Sequence, residues 1–225
     1  MINNIQSPPD GGMLYTETNF NHLFPEPLNT VTSVFFLCIA IYWTIKLWGK
    51  WKQYTFLSFA VILLYIGGIG GTIYHGLRQW HFFIMMDWLP IMLLCLTAGI
   101  YFITRISRWY YGALLVLLYF VFYLFSVSYV KGGGNMQLFI NINYAIMGAV
   151  VLLPVLVYLS KTHFAYGRWV GFALTAFIIA LFFRIADGWG WISTGTHFLW
   201  HTFGAVAAFS MFKYLFLINC LKIKL

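Results

Sequence analysis

The sequence predicts an all-α membrane protein, a bundle of seven transmembrane helices, and three observations carry that prediction. Of its 225 residues, 62% are hydrophobic and 8% are charged, whereas soluble domains carry about 25% charged residues. Seven apolar runs, each of the roughly 18 residues or more that a bilayer crossing requires, follow one another at 30–48, 54–75, 82–104, 109–130, 136–159, 169–186 and 196–218. Tryptophans mark the ends of these runs, with Trp48, Trp51, Trp109 and Trp169 at one set and Trp80, Trp189 and Trp191 at the other, as two interfacial aromatic belts require.

The joins support the same division. The polar segment before the first run has no basic stretch followed by an apolar core, so no cleaved signal peptide is expected. Short basic or polar joins separate most of the runs, and Gly132-Gly133-Gly134-Asn135 breaks the fourth from the fifth. With no linker, residues 1–225 read as a single seven-helix transmembrane domain. Cys38, Cys95 and Cys220 all fall within apolar runs and are odd in number, so they are expected to be buried free thiols rather than a disulfide or a metal site.

The net charge of +8 reflects a scarcity of acids, 5 against 13 Lys and Arg. Because the bases are scattered over short loops, they are topology signals and no nucleic-acid partner is expected. Lys46, Lys50, Lys52, Arg105, Arg108, Lys161, Arg168, Lys213, Lys222 and Lys224 fall on one side of the bundle, and only Arg78, Lys131 and Arg184 on the other. The positive-inside rule then places the N-terminus outside and the C-terminus in the cytoplasm.

That topology gathers the polar residues. His197 and His201 lie four residues apart in Thr196-His-Phe-Leu-Trp-His-Thr202, about 6 Å apart along one helix face, a spacing that suits a transition metal. The second run leaves outward at His75, the third re-enters past Asp87, the sixth leaves at Asp187 and the seventh starts at the histidine pair. Asp10, Glu17 and Glu26 precede the first run, so all five acids and the candidate ligands share the outer half of the membrane. Ionisable groups at membrane depth are costly and mark sites. The reading is a zinc site of three neutral imidazoles with a fourth position open to water, with His75 as third ligand and His81 as its rival on spacing. Asp87, about two turns into the third helix, either accepts a hydrogen bond from that water or is a structural carboxylate capped by a neighbouring helix. His22 and His163, in loops or at interfaces, read as solvated.

Three blocks now resemble a family. Glu26-Pro-Leu-Asn29-Thr30-Val-Thr-Ser33 is similar to the Glu-x-x-Asn-Thr-x-Ser opening of the first helix in alkaline ceramidases. Gly70-Gly71-Thr72-Ile-Tyr74-His75 followed by Asp87 resembles their second-to-third helix segment, and His197-Phe-Leu-Trp200-His201 their His-x-x-Trp-His. The same blocks characterise the wider CREST superfamily, which includes the progestin and adipoQ receptors. The resemblance covers roughly residues 15–36, 67–90 and 182–204, and the middle helices match in hydropathy alone.

The resemblance implies zinc held by His75, His197 and His201, Asp87 as general base toward the zinc water, and hydrolysis of the amide of ceramide or a related N-acyl lipid to a fatty acid and an amine. The partners it implies are a membrane lipid substrate and the bilayer. The membrane implied is the plasma or inner membrane of a prokaryote, or the ER or Golgi of a eukaryote. Where the family has a serine four residues before the helix-two histidine this chain has Gly71, and Thr72 is the candidate to stand in. The family also binds calcium through an acidic N-terminal segment. Glu17, Asn19 and Glu26 match part of that segment, while Leu14 falls where a further acid is expected. The alternative is a seven-helix receptor or lipid-binding protein in which the same zinc is structural.

Overall fold

The structure is a computed structural model and describes residues 8–220. Lys222 and Lys224, two of the bases assigned above to the cytoplasmic side, lie outside the described residues. All the regular structure among the described residues is helical: α1 Pro27–Leu47, α2 Thr55–Leu77, α3 His81–Ile106, α4 Trp109–Lys131, α5 Met136–Lys161, α6 Gly167–Ala186 and α7 His197–Cys220, with one turn of 3-10 helix at Asp187–Trp189 between the last two. Each of the seven α-helices is long and apolar enough to cross a bilayer, the architecture of an integral, multi-pass membrane protein. Their ends fall within three residues of the apolar runs read from the sequence.

Packing closes six of the helices into a ring. α1 packs on α2, α2 on α3, α3 on α5, α5 on α6, α6 on α7 and α7 back on α1. α4 stands outside, against α3 and α5, and buries only Gly112 and Tyr119. Hydropathy along the chain cannot foresee this, because a lipid-facing helix and a ring helix are equally apolar.

Backbones meet closely where the side chains allow it. Pro90 lies inside α3 and has no N–H to offer the carbonyl of Met86. At this level α2 presents Gly70, where a Cβ would stand 2.3 Å from the Met86 Cβ and 2.5 Å from its carbonyl carbon. Such glycine contacts let helices approach where lipid supplies no hydrophobic drive.

A cavity of about 210 Å³ occupies the interior of the ring, lined by apolar side chains of α1, α2, α3, α5, α6 and α7, among them Phe36, Leu64, Leu94, Met147, Phe177 and Met211. The expectation of buried thiols needs correction. All three cysteines are free, but Cys38 and Cys220 are exposed and Cys95 is half-buried. In a lipid-facing helix an apolar run continues all the way round, so sitting in one does not imply burial.

The close α2–α3 contact makes a prediction. Gly70→Ala should destabilise the purified protein by about 1–3 kcal/mol, the usual overpacking range, and thermal unfolding in detergent checks it. Gly171→Ala, where a Cβ meets nothing within 4 Å, should leave the transition near that of the wild type.

Candidate metal centre

The site is assembled by the segment ahead of α1. Pro27 opens α1, and Glu26 at its N-cap makes no side-chain cap. Glu17, ten residues upstream of Pro27, takes that place: its carboxylate accepts from the backbone N–H groups of Leu28 at 2.5 Å and Asn29 at 2.9 Å, satisfying donors that a helix start leaves unpaired. Partial burial raises the Glu17 carboxyl above its usual range, and these two bonds pull it back in part. Glu26 is thereby free to turn inward.

Inside, Glu26 closes a buried chain of charge. Its Oε2 contacts Nδ1 of His75 at 2.5 Å. Its Oε1 accepts from Arg78 Nη1 and from the Thr18 hydroxyl, the latter at 2.6 Å. Arg78 in turn donates from Nε to Asp10 Oδ2 at 2.6 Å, and from Nη2 to Asp10 Oδ1 at 3.1 Å and to the Met13 carbonyl at 2.9 Å. Burial pushes the Glu26 carboxyl up, but the hydrogen bonds and charges of His75 and Arg78 outweigh it and hold the group below its usual range. Arg78 is the C-cap of α2 with a left-handed φ of 52°, a conformation that costs a non-glycine residue roughly 1–3 kcal/mol. The four bonds from its guanidinium hold it there.

Three imidazoles converge beside this chain. The ring centres of His75 and His201 are 4.8 Å apart, those of His197 and His201 4.8 Å, and those of His75 and His197 5.5 Å. One ligand nitrogen from each lies within 4.8 Å of the others, and all three residues are buried. The tautomers follow from the neighbours. The His201 Nδ1 lies 3.2 Å from the Asn29 carbonyl, which can only accept, and 3.0 Å from a Ser33 hydroxyl that itself donates to Asn29. His201 Nδ1 therefore carries the proton, and Nε2 keeps its lone pair. Nδ1 of His75 faces a carboxylate with the same effect.

Two of the ring nitrogens, His75 Nε2 and His197 Nδ1, are buried without a hydrogen-bond partner among the described residues. Unpaired buried nitrogens are expensive. Three imidazoles, two of them oriented through Nδ1 by a carboxylate or a carbonyl, are the donor set and the second shell that zinc takes. These residues fit that ion.

α7 is anchored with the same care. Asp187 Oδ1 accepts from the N–H groups of Thr196 at 2.7 Å and His197 at 2.9 Å, and Oδ2 accepts from Thr16 at 3.1 Å. Tyr15, on the same N-terminal strap, stacks on His197 with ring centres 3.8 Å apart.

The remaining expected residues fall as follows. His75, fully buried, joins the pair, whereas His81 begins α3 exposed, and His22 and His163 are also exposed. Asp87 and His201 both line the interior cavity. A Cβ at Gly71 would stand 2.5 Å from Asp87 Oδ1 and 3.3 Å from Ser33 Oγ, so the absent side chain makes room for that carboxylate. The hydroxyls beside His201 Nδ1 are those of Ser33 at 3.0 Å and Thr32 at 3.3 Å, while Thr72 donates along its own helix to Gly68 at 2.7 Å. The candidates for calcium each have a protein partner: Glu17 caps α1, Glu26 holds His75 and Arg78, and the Asn19 side-chain Oδ1 accepts from Asn21 N–H at 3.0 Å.

Sequence reasoning missed the roles of Arg78, Tyr15 and Ser33. Arg78 lies three residues after His75, which is the one local signal that could have separated it from the loop bases. No protein-family model and no curated protein matches this chain.

Metal analysis of the purified protein and its variants checks the centre. Replacing His75, His197 or His201 by Ala should remove most of the zinc, and His81→Ala should keep it. Glu26→Gln, which weakens the grip on His75, should lower zinc affinity by about 10–100-fold, the usual loss for an outer-shell partner.

Proposed function

We propose that the chain is a zinc-dependent hydrolase of the bilayer that cleaves the amide of ceramide or a related N-acyl lipid, as the resemblance to alkaline ceramidases implies. The observation that supports this reading best is a juxtaposition. His201 of the histidine cluster and the Asp87 carboxylate border one apolar cavity inside the helix ring, so an acyl chain lying in the cavity brings its carbonyl to both. A metal meant only to hold helices together needs no such cavity.

In this reading His75, His197 and His201 hold the ion, which when bound supplies a Lewis acid for the carbonyl oxygen and activates water near neutral pH. Asp87 has no hydrogen-bond donor from the described residues and is free to act on water. One Oδ takes the proton as water oxygen bonds to the carbonyl carbon, and returns it to the amide nitrogen as the C–N bond breaks, giving fatty acid and free amine. Ser33 and Asn29 keep His201 in the tautomer that offers Nε2, and Glu26 does so for His75. The Thr72 hydroxyl donates within α2 to the Gly68 carbonyl and is assigned no step in this reading. Calcium is not needed by any of these steps.

The basic-residue asymmetry supports an N-terminus outside and a C-terminus in the cytoplasm, which puts the histidine cluster near the outer face of the plasma or inner membrane, or the lumenal face of the ER or Golgi.

Two measurements test this. Asp87→Asn keeps the shape and cannot take the proton, so release of fatty acid from an N-acyl lipid should slow at least about a hundredfold with zinc content unchanged. Wild-type protein that holds zinc yet releases no fatty acid from any N-acyl lipid, at several pH values and with calcium supplied, would instead be the receptor or lipid-binding protein. For orientation, a reporter after Leu225 should be cytoplasmic and a tag before Met1 outside, and the reverse would put the site on the cytoplasmic face.

A further inference from the structure

Arg184, in the last turn of α6, is a buried cation of the histidine end that the foregoing leaves without a task. It is 5% exposed, and Nε is buried with no hydrogen-bond partner among the described residues. Its guanidinium carbon lies over the ring of Tyr144 at 4.7 Å and over that of Trp200 at 5.3 Å. Both rings line the cavity together with Asp87 and His201, and Trp200 sits between the two histidines of α7.

No acid forms an ion pair with it among the described residues. Asp10 and Glu26 are paired with Arg78, Glu17 caps α1, and Asp187 caps α7. Asp87, the last of the five acids, forms no ion pair with it among the described residues.

A buried guanidinium held only by aromatic faces is an expensive arrangement unless an anion completes it. Arginine presents a planar fork of donors matched to a carboxylate. We propose that Arg184 is an anion-binding residue of the site and that the group it takes is a carboxylate of the lipid. The proposal rests on the hydrolase reading for the source of that group, which is either the fatty acid released or an acidic head on the amine side of the substrate.

Binding to the purified full-length protein in uncharged detergent tests it, read by displacement of a fluorescent N-acyl lipid. The probes are oleate, N-oleoylglycine and the neutral N-oleoylethanolamine, each with zinc bound and after chelation. At least one carboxylate should bind about tenfold or more tighter than the neutral lipid, as a charged hydrogen bond in a desolvated site implies. The preference should persist without zinc and disappear in Arg184→Met, which fills the space between the rings without charge. Arg184→Gln is the second variant should the first fail to fold.

Preference for oleate alone assigns the site to the product, and preference for N-oleoylglycine alone assigns it to an acidic substrate head. A wild-type protein with no preference for charge, a preference that vanishes with zinc, or one that survives in a folded Arg184 variant overturns the proposal. Turnover without charge preference removes this inference and leaves the hydrolase. Charge preference lost in Arg184→Met, in a protein without turnover, removes the hydrolase and leaves a carboxylate-binding site.

Discussion

The buried chain Asp10–Arg78–Glu26–His75 is the constraint on which the rest of this molecule depends. It joins three parts of the sequence: the strap ahead of α1, the N-cap of α1 and the C-terminal end of α2. Every member is buried, so each charge has lost its hydration and is tolerable only while its partner is present. Removing one partner from such a network usually costs about 3–5 kcal/mol. The chain does more than hold elements together. It fixes the proton of His75 on Nδ1 and leaves Nε2 bare among two other imidazoles, so the structural network and the metal centre share a single carboxylate.

The second constraint is spatial. Gly71 gives up a side chain and Asp87 fills the space, with its Oδ1 where a Cβ would be forced to within 2.5 Å. The carboxylate thereby reaches the cavity shared with His201 instead of being walled off by α2. The Ser33 hydroxyl of α1 stands beside His201 at 3.0 Å. Helix ends do the remaining positioning. Glu17 and Asp187, each distant in sequence from some of the N–H groups it accepts, fix the starts of α1 and α7, the helices that carry Ser33 and the histidine pair.

Much of this was legible in the sequence, for physical reasons that also mark where reading stops. The seven helices follow from hydropathy, since lipid demands long apolar runs whatever their tertiary neighbours. The pair His197 and His201 follows from helical periodicity. The choice between His75 and His81 did not: they lie six residues apart at the ends of adjacent helices, and the left-handed turn at Arg78 decides it by keeping His75 inside α2 and leaving His81 exposed. Burial of the cysteines and the place of α4 outside the ring were not legible either, because lipid-facing and core-facing surfaces have the same composition. Arg78 and Arg184 were read as topology signals, and only tertiary contacts reveal one as the clamp of Glu26 and the other as a guanidinium between two rings.

The central claim is that three imidazoles oriented in this way hold zinc with one position left for a light ligand. X-ray absorption at the zinc edge of the purified protein tests it most directly. The account predicts one zinc per chain with three nitrogen ligands at about 2.0–2.1 Å, one further oxygen or nitrogen and no sulfur. A protein purified without zinc, or a zinc shell containing sulfur at about 2.3 Å, would contradict it.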